Sequence, residues 1–465
     1  MICPALLSPN PIAPPTKPTR RLRSPWRKSA TRIAAFIATI ALGCPAHALQ
    51  RLDAFLASAK QHNLDRREAD LVAKQSQHDV RLAEFRLTPI LAASGSYRLN
   101  QYEASAQLPT GPGEVRTVVI VPKNQFDATL ELQQPIVDVG AWISVGAAKH
   151  DISASNERVR STELEVSKNV SRAYFQLVAA EALVVAARKT QDAAVANHNL
   201  TEQRLRAGVG TDLDVKRAFA EVERTRQLLA DAEYAVAVAR RSLHTLTGLD
   251  PANGAPTLDS DLKAEAPLEH WVDGMLEDVP AIRAAKHDVA SAEKHVKAAG
   301  AALIPTLAAV ATQRFTNATG FLGKYAFAAV GASLSWRFDF AALPALRTQR
   351  GALAIAKVRE QRVRQATYDQ VHDAWHRVRA GLVKSTSARS QTDASKTAVE
   401  RAKQRYENGT ALLIDVTQAE RDLFSAEVAR IQADADLALA RTLLRLASGH
   451  TLESTPDPKP VEVDK

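Results

Sequence analysis

The sequence predicts a mainly α-helical chain with a small β part, written twice from the same elements. Three observations carry this reading. "RLRAGVGTDLDV" (Arg204–Val215) and "RYENGTALLIDV" (Arg405–Val416) share an Arg, a Gly four residues on and Asp-Val six residues later, with Gly208 and Gly409 standing 201 residues apart. The match runs ungapped from 204–248 onto 405–449, through Asp214/Asp415, Ala232/Ala433, Arg240/Arg441 and Leu243/Leu444. Upstream, "LTPILAA" (Leu87–Ala93) meets "LIPTLAA" (Leu303–Ala309) at an offset of 216, so the first copy carries an insertion of 15 residues, placed at Pro109 to Asn124. A repeat of this length imposes one element order on both halves.

Each half then reads as helix, strand, strand, helical hairpin. The first helix covers 52–85 and 268–301, with Pro280 suited to a helix start and Pro89 and Pro305 ending it. "FDATLELQ" alternates strictly, Phe126, Ala128, Leu130 and Leu132 against Asp127, Thr129, Glu131 and Gln133; "LAASGSYRLN" does the same. In the second copy Ala328, Val330, Ala332, Leu334 and Trp336 form the apolar side, and Thr312, Arg314, Ser333 and Ser335 a weaker polar one. Period-two alternation marks half-buried strands. Their length suits tilted strands crossing a bilayer, although a sheet with one wet face gives the same pattern. A helix of some 65 residues follows, 142–206 and 345–406, roughly 100 Å long at 1.5 Å per residue. Such a helix needs others to cover its apolar positions. A shorter helix returns over 213–247 and 414–448. Gly208 and Gly409 permit the turns between, with Asp212 and Thr410 expected as the helix caps.

The ends differ from the body. The chain carries +9 over 465 residues, but residues 1–48 hold seven cations and no acid, which leaves 53 basic against 51 acidic residues beyond them. That balance removes the support for a nucleic-acid partner. The basic stretch, the run "IAAFIATIAL" (Ile33–Leu42) and the small-x-small "AHA" (Ala46–Ala48) have the parts of a secretory signal, with a competing lipoprotein cleavage before Cys44. Cys3 and Cys44 both lie in this leader, so the mature chain is expected to hold no thiol. No other stretch reads as apolar enough for a transmembrane helix, so entry into a membrane requires a closed β-structure.

The signal, the doubled plan, "LQQPIVDVG" (Leu132–Gly140) and the "G-x5-D-V" tips together resemble the TolC-type outer-membrane efflux and secretion channels over about Leu49 to Gly449. The resemblance implies a homotrimer whose protomers each give four strands to one shared transmembrane barrel in the outer membrane of a Gram-negative bacterium. Its helices form a periplasmic cylinder. A periplasmic adaptor (membrane fusion protein) and an inner-membrane pump, ABC or proton-driven, dock at the tips: Gly208, Val209, Gly210, Gly409, Thr410 and Ala411. Cargo, small molecules or a type I secreted protein, passes through unchanged; no cofactor or metal is implied. The family's periplasmic gate carries over onto Asp415 and Gln418, the second of which is neutral here, and onto Asp214 and Tyr406; its arginine falls on Ala411. A gate with one carboxylate ring and no arginine is expected to close less firmly. Arg98, Asp127, Glu131 and Arg314 would line the lumen, and 108–122 and 317–324 would be extracellular loops. The expected organisation is signal 1–48, first repeat 49–248, linker 249–267, second repeat 268–449 and a disordered tail 450–465.

The alternatives are weaker. "HDAWH" puts His372 and His376 at helical spacing but with Asp where a zincin needs Glu and no third ligand. "GVGTDL" lacks the third Gly of a dinucleotide loop and follows a helix. No catalytic constellation emerges. The rival from another class is a periplasmic coiled-coil adaptor, which normally has one hairpin rather than two.

Overall fold

The computed structural model describes residues 49–111, 113–252, 254, 262–272 and 277–449. The expected signal and tail lie outside the described residues, as do residues 253 and 255–261 of the expected linker. Among the described residues, eight α-helices and six strands follow one another: α1 Leu52–His62, α2 Leu64–Phe85, β1 Ile90–Leu99, β2 Ala104–Gly111, β3 Glu114–Val121, β4 Asn124–Val137, α3 Val139–Arg206, α4 Asp212–Thr247, α5 Leu268–Val272, α6 Pro280–Ala301, β5 Thr306–Thr316, β6 Ala326–Ser335, α7 Ala342–Glu407 and α8 Leu413–Ala447. The repeat is visible in the bounds themselves. Helices α2 and α6 both have 22 residues and start 216 apart, while α3 and α7 end 201 apart.

The first helix of each copy is in two pieces. In the first copy Asn63 leaves the helical conformation (φ −68°, ψ 132°), and its side chain accepts from the backbone N–H of Asp65 and Arg66. An Asn that caps from within satisfies two orphan donors of the new helix. Its Nδ2 also donates to the Leu246 carbonyl at the end of α4 (3.2 Å), so the break is pinned to the neighbouring hairpin. In the second copy the expected start at Leu268 belongs to the short α5, and Pro280 opens α6.

Helices α3 and α7, of 68 and 66 residues, run roughly 100 Å each. They pack against the returning α4 and α8, with α2 and α6 laid along them and α6 between α3 and α7. One window of α3 reaches a mean hydropathy of 1.4, against the expectation that no stretch beyond the leader is so apolar. More than half of that window is buried in the helical layer, which accounts for its composition. The two copies build twin cores. Val170, Leu177 and Leu243 close one around Phe55, and their counterparts Val371, Val378 and Leu444 close the other around Trp271.

Four strands form one antiparallel sheet in the order β1-β4-β5-β6, so among the described residues β1 and β6 are free edges. The expected loop at 108–122 is instead largely ordered as a second, two-stranded sheet, β2–β3, inserted between β1 and β4. Its outer residues Glu114–Val121 lack clean alternation, which hid the strand. The loop 317–324 holds a 3-10 turn at Gly320–Leu322.

Candidate functional site

At the tips, local chemistry differs between the copies. In the first, Gly208 takes φ +77°, a conformation that costs a side-chain-bearing residue but not glycine. The N–H groups of Val209 and Gly210 both reach the Arg204 carbonyl (3.0 and 3.1 Å). That double bond draws the chain so close that a Cβ at Gly210 would stand 2.9 Å from the Leu205 nitrogen. In the second copy Gly409 has φ +71°, Thr410 N–H alone reaches the equivalent Arg405 carbonyl (2.9 Å), and Ala411 stands where the first copy has Gly210. The second turn, with one backbone N–H rather than two on that carbonyl, carries the methyl group of Ala411.

The helix caps are not the expected ones. Thr211 caps α4: its Oγ1 accepts from the Asp214 N–H (3.1 Å) and donates to Asp214 Oδ2 (2.7 Å). Asp212 is already helical, so its carboxylate cannot reach back to the cap position. Thr410 turns its hydroxyl onto the Arg405 carbonyl (3.0 Å), and α8 starts later, with Leu412 N–H donating to Asp415 Oδ2 (3.0 Å).

Asp214 and Tyr406 are near neighbours but share no hydrogen bond. Arg204 joins the tips instead. Its guanidinium lies 4.6 Å from the centre of the Tyr406 ring, and Nη1 donates to the Tyr406 carbonyl (3.1 Å). A cation over a half-buried aromatic face is attractive. Burial pushes the Tyr406 hydroxyl above its ordinary pKa; the Arg204 charge opposes this and the Asp214 charge adds to it. The phenol therefore stays protonated at neutral pH. Arg204 was missed in the sequence because its partner lies 202 residues away.

Along α8, Asp415, Gln418 and Asp422 line one open groove of about 430 Å3 against Ala394, Ser395 and Ala398 of α7. Gln418 Nε2 donates to Asp422 Oδ1 (2.9 Å). The neutral Gln418 is thus tied to a carboxylate that the sequence reading left out, seven residues beyond Asp415 and so on the same helix face. On α4 the buried Glu221 accepts from Arg224 of its own helix (3.0 Å at Nε) and from Arg421 of α8 (2.6 Å at Nη2). Burial pushes the Glu221 carboxyl up, but the hydrogen bonds and charges of the two arginines outweigh it and hold it below the usual carboxylate range.

In the sheet, register puts the four expected lumen residues on one face. Asp127 pairs Ser96 and Thr316; Arg98 pairs Gln125; Glu131 pairs Ala92 and Thr312; Arg314 pairs Thr129. Arg314 Nη2 and Nε donate to Asp127 Oδ1 (2.6 and 3.1 Å), an ion pair that ties β4 of one repeat to β5 of the other. The opposite face presents Leu91, Leu130, Leu132, Val330 and Leu334, all exposed. His372 and His376 lie exposed on α7 with ring centres 4.5 Å apart, and no cluster of three or more metal-ligating side chains occurs among the described residues.

A sheet that is polar on one face and exposed and apolar on the other, joined to twin hairpins of this length, matches a known family. Residues 55–249 and 271–450 match the outer membrane efflux protein family. The chain belongs to the outer membrane efflux protein family. It is similar to the toluene efflux pump outer membrane protein TtgC of Pseudomonas putida, 27% identical over 402 residues that cover 83% of this chain and 79% of the relative. The crystal structure of CusC superposes with a TM-score of 0.73 at 18% identity, covering 86% of this chain and 92% of that one. The open state of the MtrE channel of Neisseria gonorrhoeae gives 0.70 at 22% identity, covering 87% and 90%. Outer membrane efflux proteins are transport channels of the Gram-negative outer membrane, not enzymes, and the single-hairpin adaptor alternative is set aside.

Proposed function

We propose that this protein is the homotrimeric exit duct of a tripartite small-molecule efflux pump. The single observation that carries the reading is the open four-stranded sheet with both edges free. Unpaired edges facing lipid are untenable, and four strands are too few to close a barrel. Three copies supply twelve strands and a continuous wall. The leader 1–48 would deliver the chain, and the leading relatives' names, which are those of efflux components, favour small molecules over a secreted protein.

In this reading the tips Gly208–Gly210 and Gly409–Ala411 receive the periplasmic adaptor, which links the duct to an inner-membrane pump. Asp415, with Asp422 two turns along, rings the periplasmic entrance. Arg204 and Tyr406 hold the tips together and set the resting aperture, with the Asp214 carboxylate close by on the first tip. The linker 249–267 joins the halves. The test is reconstitution with gene deletion. Purified protein should run as a heat-modifiable trimer and conduct in planar lipid, and its deletion should raise sensitivity to small toxic compounds. A monomer in detergent without conductance overturns the duct. Unchanged sensitivity with loss of a secreted protein overturns the small-molecule assignment.

A further inference from the structure

We propose that the barrel carries an aperture of its own near its outer end, a collar in which Arg98, Arg314 and Phe327 project into the lumen and Asp127 holds Arg314 in place; this rests on the trimeric duct proposed above. Alternate residues of a strand point to opposite faces of its sheet, so the register sorts the polar face into levels. One level runs straight across all four strands: Ser94 pairs Thr129, Thr129 pairs Arg314, and Arg314 pairs Phe327. Phe327 therefore stands on the polar face, opposite the apolar band of Val330 and Leu334, and is 44% exposed. Its ring is engaged there. The Arg314 guanidinium carbon lies 5.9 Å from the ring centre, within reach of a cation–π attraction.

The guanidinium is held from its other side. Asp127 lies one level further from the helices on β4, diagonal to Arg314, where long side chains still meet. Its Oδ1 accepts from Arg314 Nη2 and Nε (2.6 and 3.1 Å), and its Oδ2 accepts from Gln125 Nε2 (2.7 Å). Gln125 Oε1 in turn accepts from Asn100 Nδ2 (3.2 Å). A line of contacts thus runs from Asn100, just past β1, through β4 and β5 to the ring on β6. Arg98 pairs Gln125 in the register, at the level furthest from the helices. Toward the helices the same face loses its bulk on the two strands of the second repeat. It presents Ala308 and Val310 on β5, and Ala329, Gly331, Ser333 and Ser335 on β6.

Strand number gives these few side chains their weight. A barrel of about eight strands is filled by its own side chains, and one of about sixteen leaves an aqueous channel. The twelve strands of three copies fall between, where the reach of inward residues decides what passes. Three copies set three Asp127–Arg314–Phe327 groups and three Arg98 side chains around the lumen. The collar limits the size of what enters from outside, even while the periplasmic end is open.

Labelling of single cysteines on intact bacteria tests this in the full-length protein, whose two native cysteines, Cys3 and Cys44, both lie in the expected leader. One reporter replaces Ser333, on the helix side of the collar, and another replaces Gln107 in β2, beyond it. The probes are a graded series of maleimide-tailed polyethylene glycols. Gln107→Cys should take every size, whereas Ser333→Cys should take the smallest and lose the larger ones. Added to Ser333→Cys, Phe327→Ala should move the size limit up and Phe327→Trp should move it down. Asp127→Asn, which frees Arg314 without shortening it, should let the first refused size through slowly. A limit that stays put in all three variants, each still a heat-modifiable trimer, overturns the collar and leaves the duct intact. If even the smallest probe misses Ser333→Cys in every variant while Gln107→Cys is labelled, the polar face lines no open lumen and the duct itself is overturned.

Discussion

At the scale of single residues, function concentrates where a side chain does a job the backbone cannot. Arg204 bridges the tips by stacking on Tyr406 and holding its carbonyl. Arg204→Ala should raise the resting conductance of single channels, and Asp214→Ala should do so less, because the Asp214 carboxylate is engaged by Thr211 rather than by the second tip. Glu221 makes a second prediction. Its folded pKa is depressed, so its contribution is fully present above the unfolded value of about 4.3 and is lost as pH falls through the lower folded value. Glu221→Gln should cost about 1–3 kcal/mol at neutral pH. In thermal unfolding followed by circular dichroism, the gap to the unmodified protein should hold down to about pH 5 and close below about pH 4. Gly210→Ala should destabilise the first tip, where the added methyl meets the Leu205 nitrogen, whereas Ala411→Gly should be nearly silent. Local proteolysis at the tips reads both.

Among the elements, the sequence made the plan legible because a repeat that runs ungapped through the hairpins and period-two alternation are strong signals that tertiary packing does not override. Both long helices, both returns and the strands read at 91–100, 126–133 and 328–336 lie within a few residues of their observed bounds, and Thr312 and Arg314 fall in β5. The misses have physical causes. The break at Asn63 falls where apolar periodicity continues unbroken, and only the cap bonds to Asp65 and Arg66 reveal it. The caps at the tips differ from expectation because Thr211 directly precedes Asp212 and Asp415 serves α8 from five residues beyond Thr410, and φ/ψ rather than residue type decides which residue serves. Contacts such as Arg204 with Tyr406 or Glu221 with Arg421 join residues about 200 apart and leave no local mark. Asp422 was readable, since seven residues return to the same helix face. Asn63→Ala removes the acceptor for two N–H groups and a bond to α4, and should cost about 1–2 kcal/mol. Leu243→Ala, which opens a cavity in a fully buried site, should cost about 2–5 kcal/mol. Both are measurable by denaturant unfolding.

For the whole molecule, the consequence that reaches furthest comes from the inserted β2–β3 sheet. It interrupts only the first repeat, at the end of the strands away from the helices, so an assembled pore would show three such projections to the outside world rather than six equal rims. In the assembly and orientation proposed above, they would be the parts of the protein that an antibody or a bacteriophage touches on a living cell. A peptide epitope placed beside Gly113, which has open space around it, should be stained on intact bacteria, and the same epitope at Gly208 should be stained only after the outer envelope is broken.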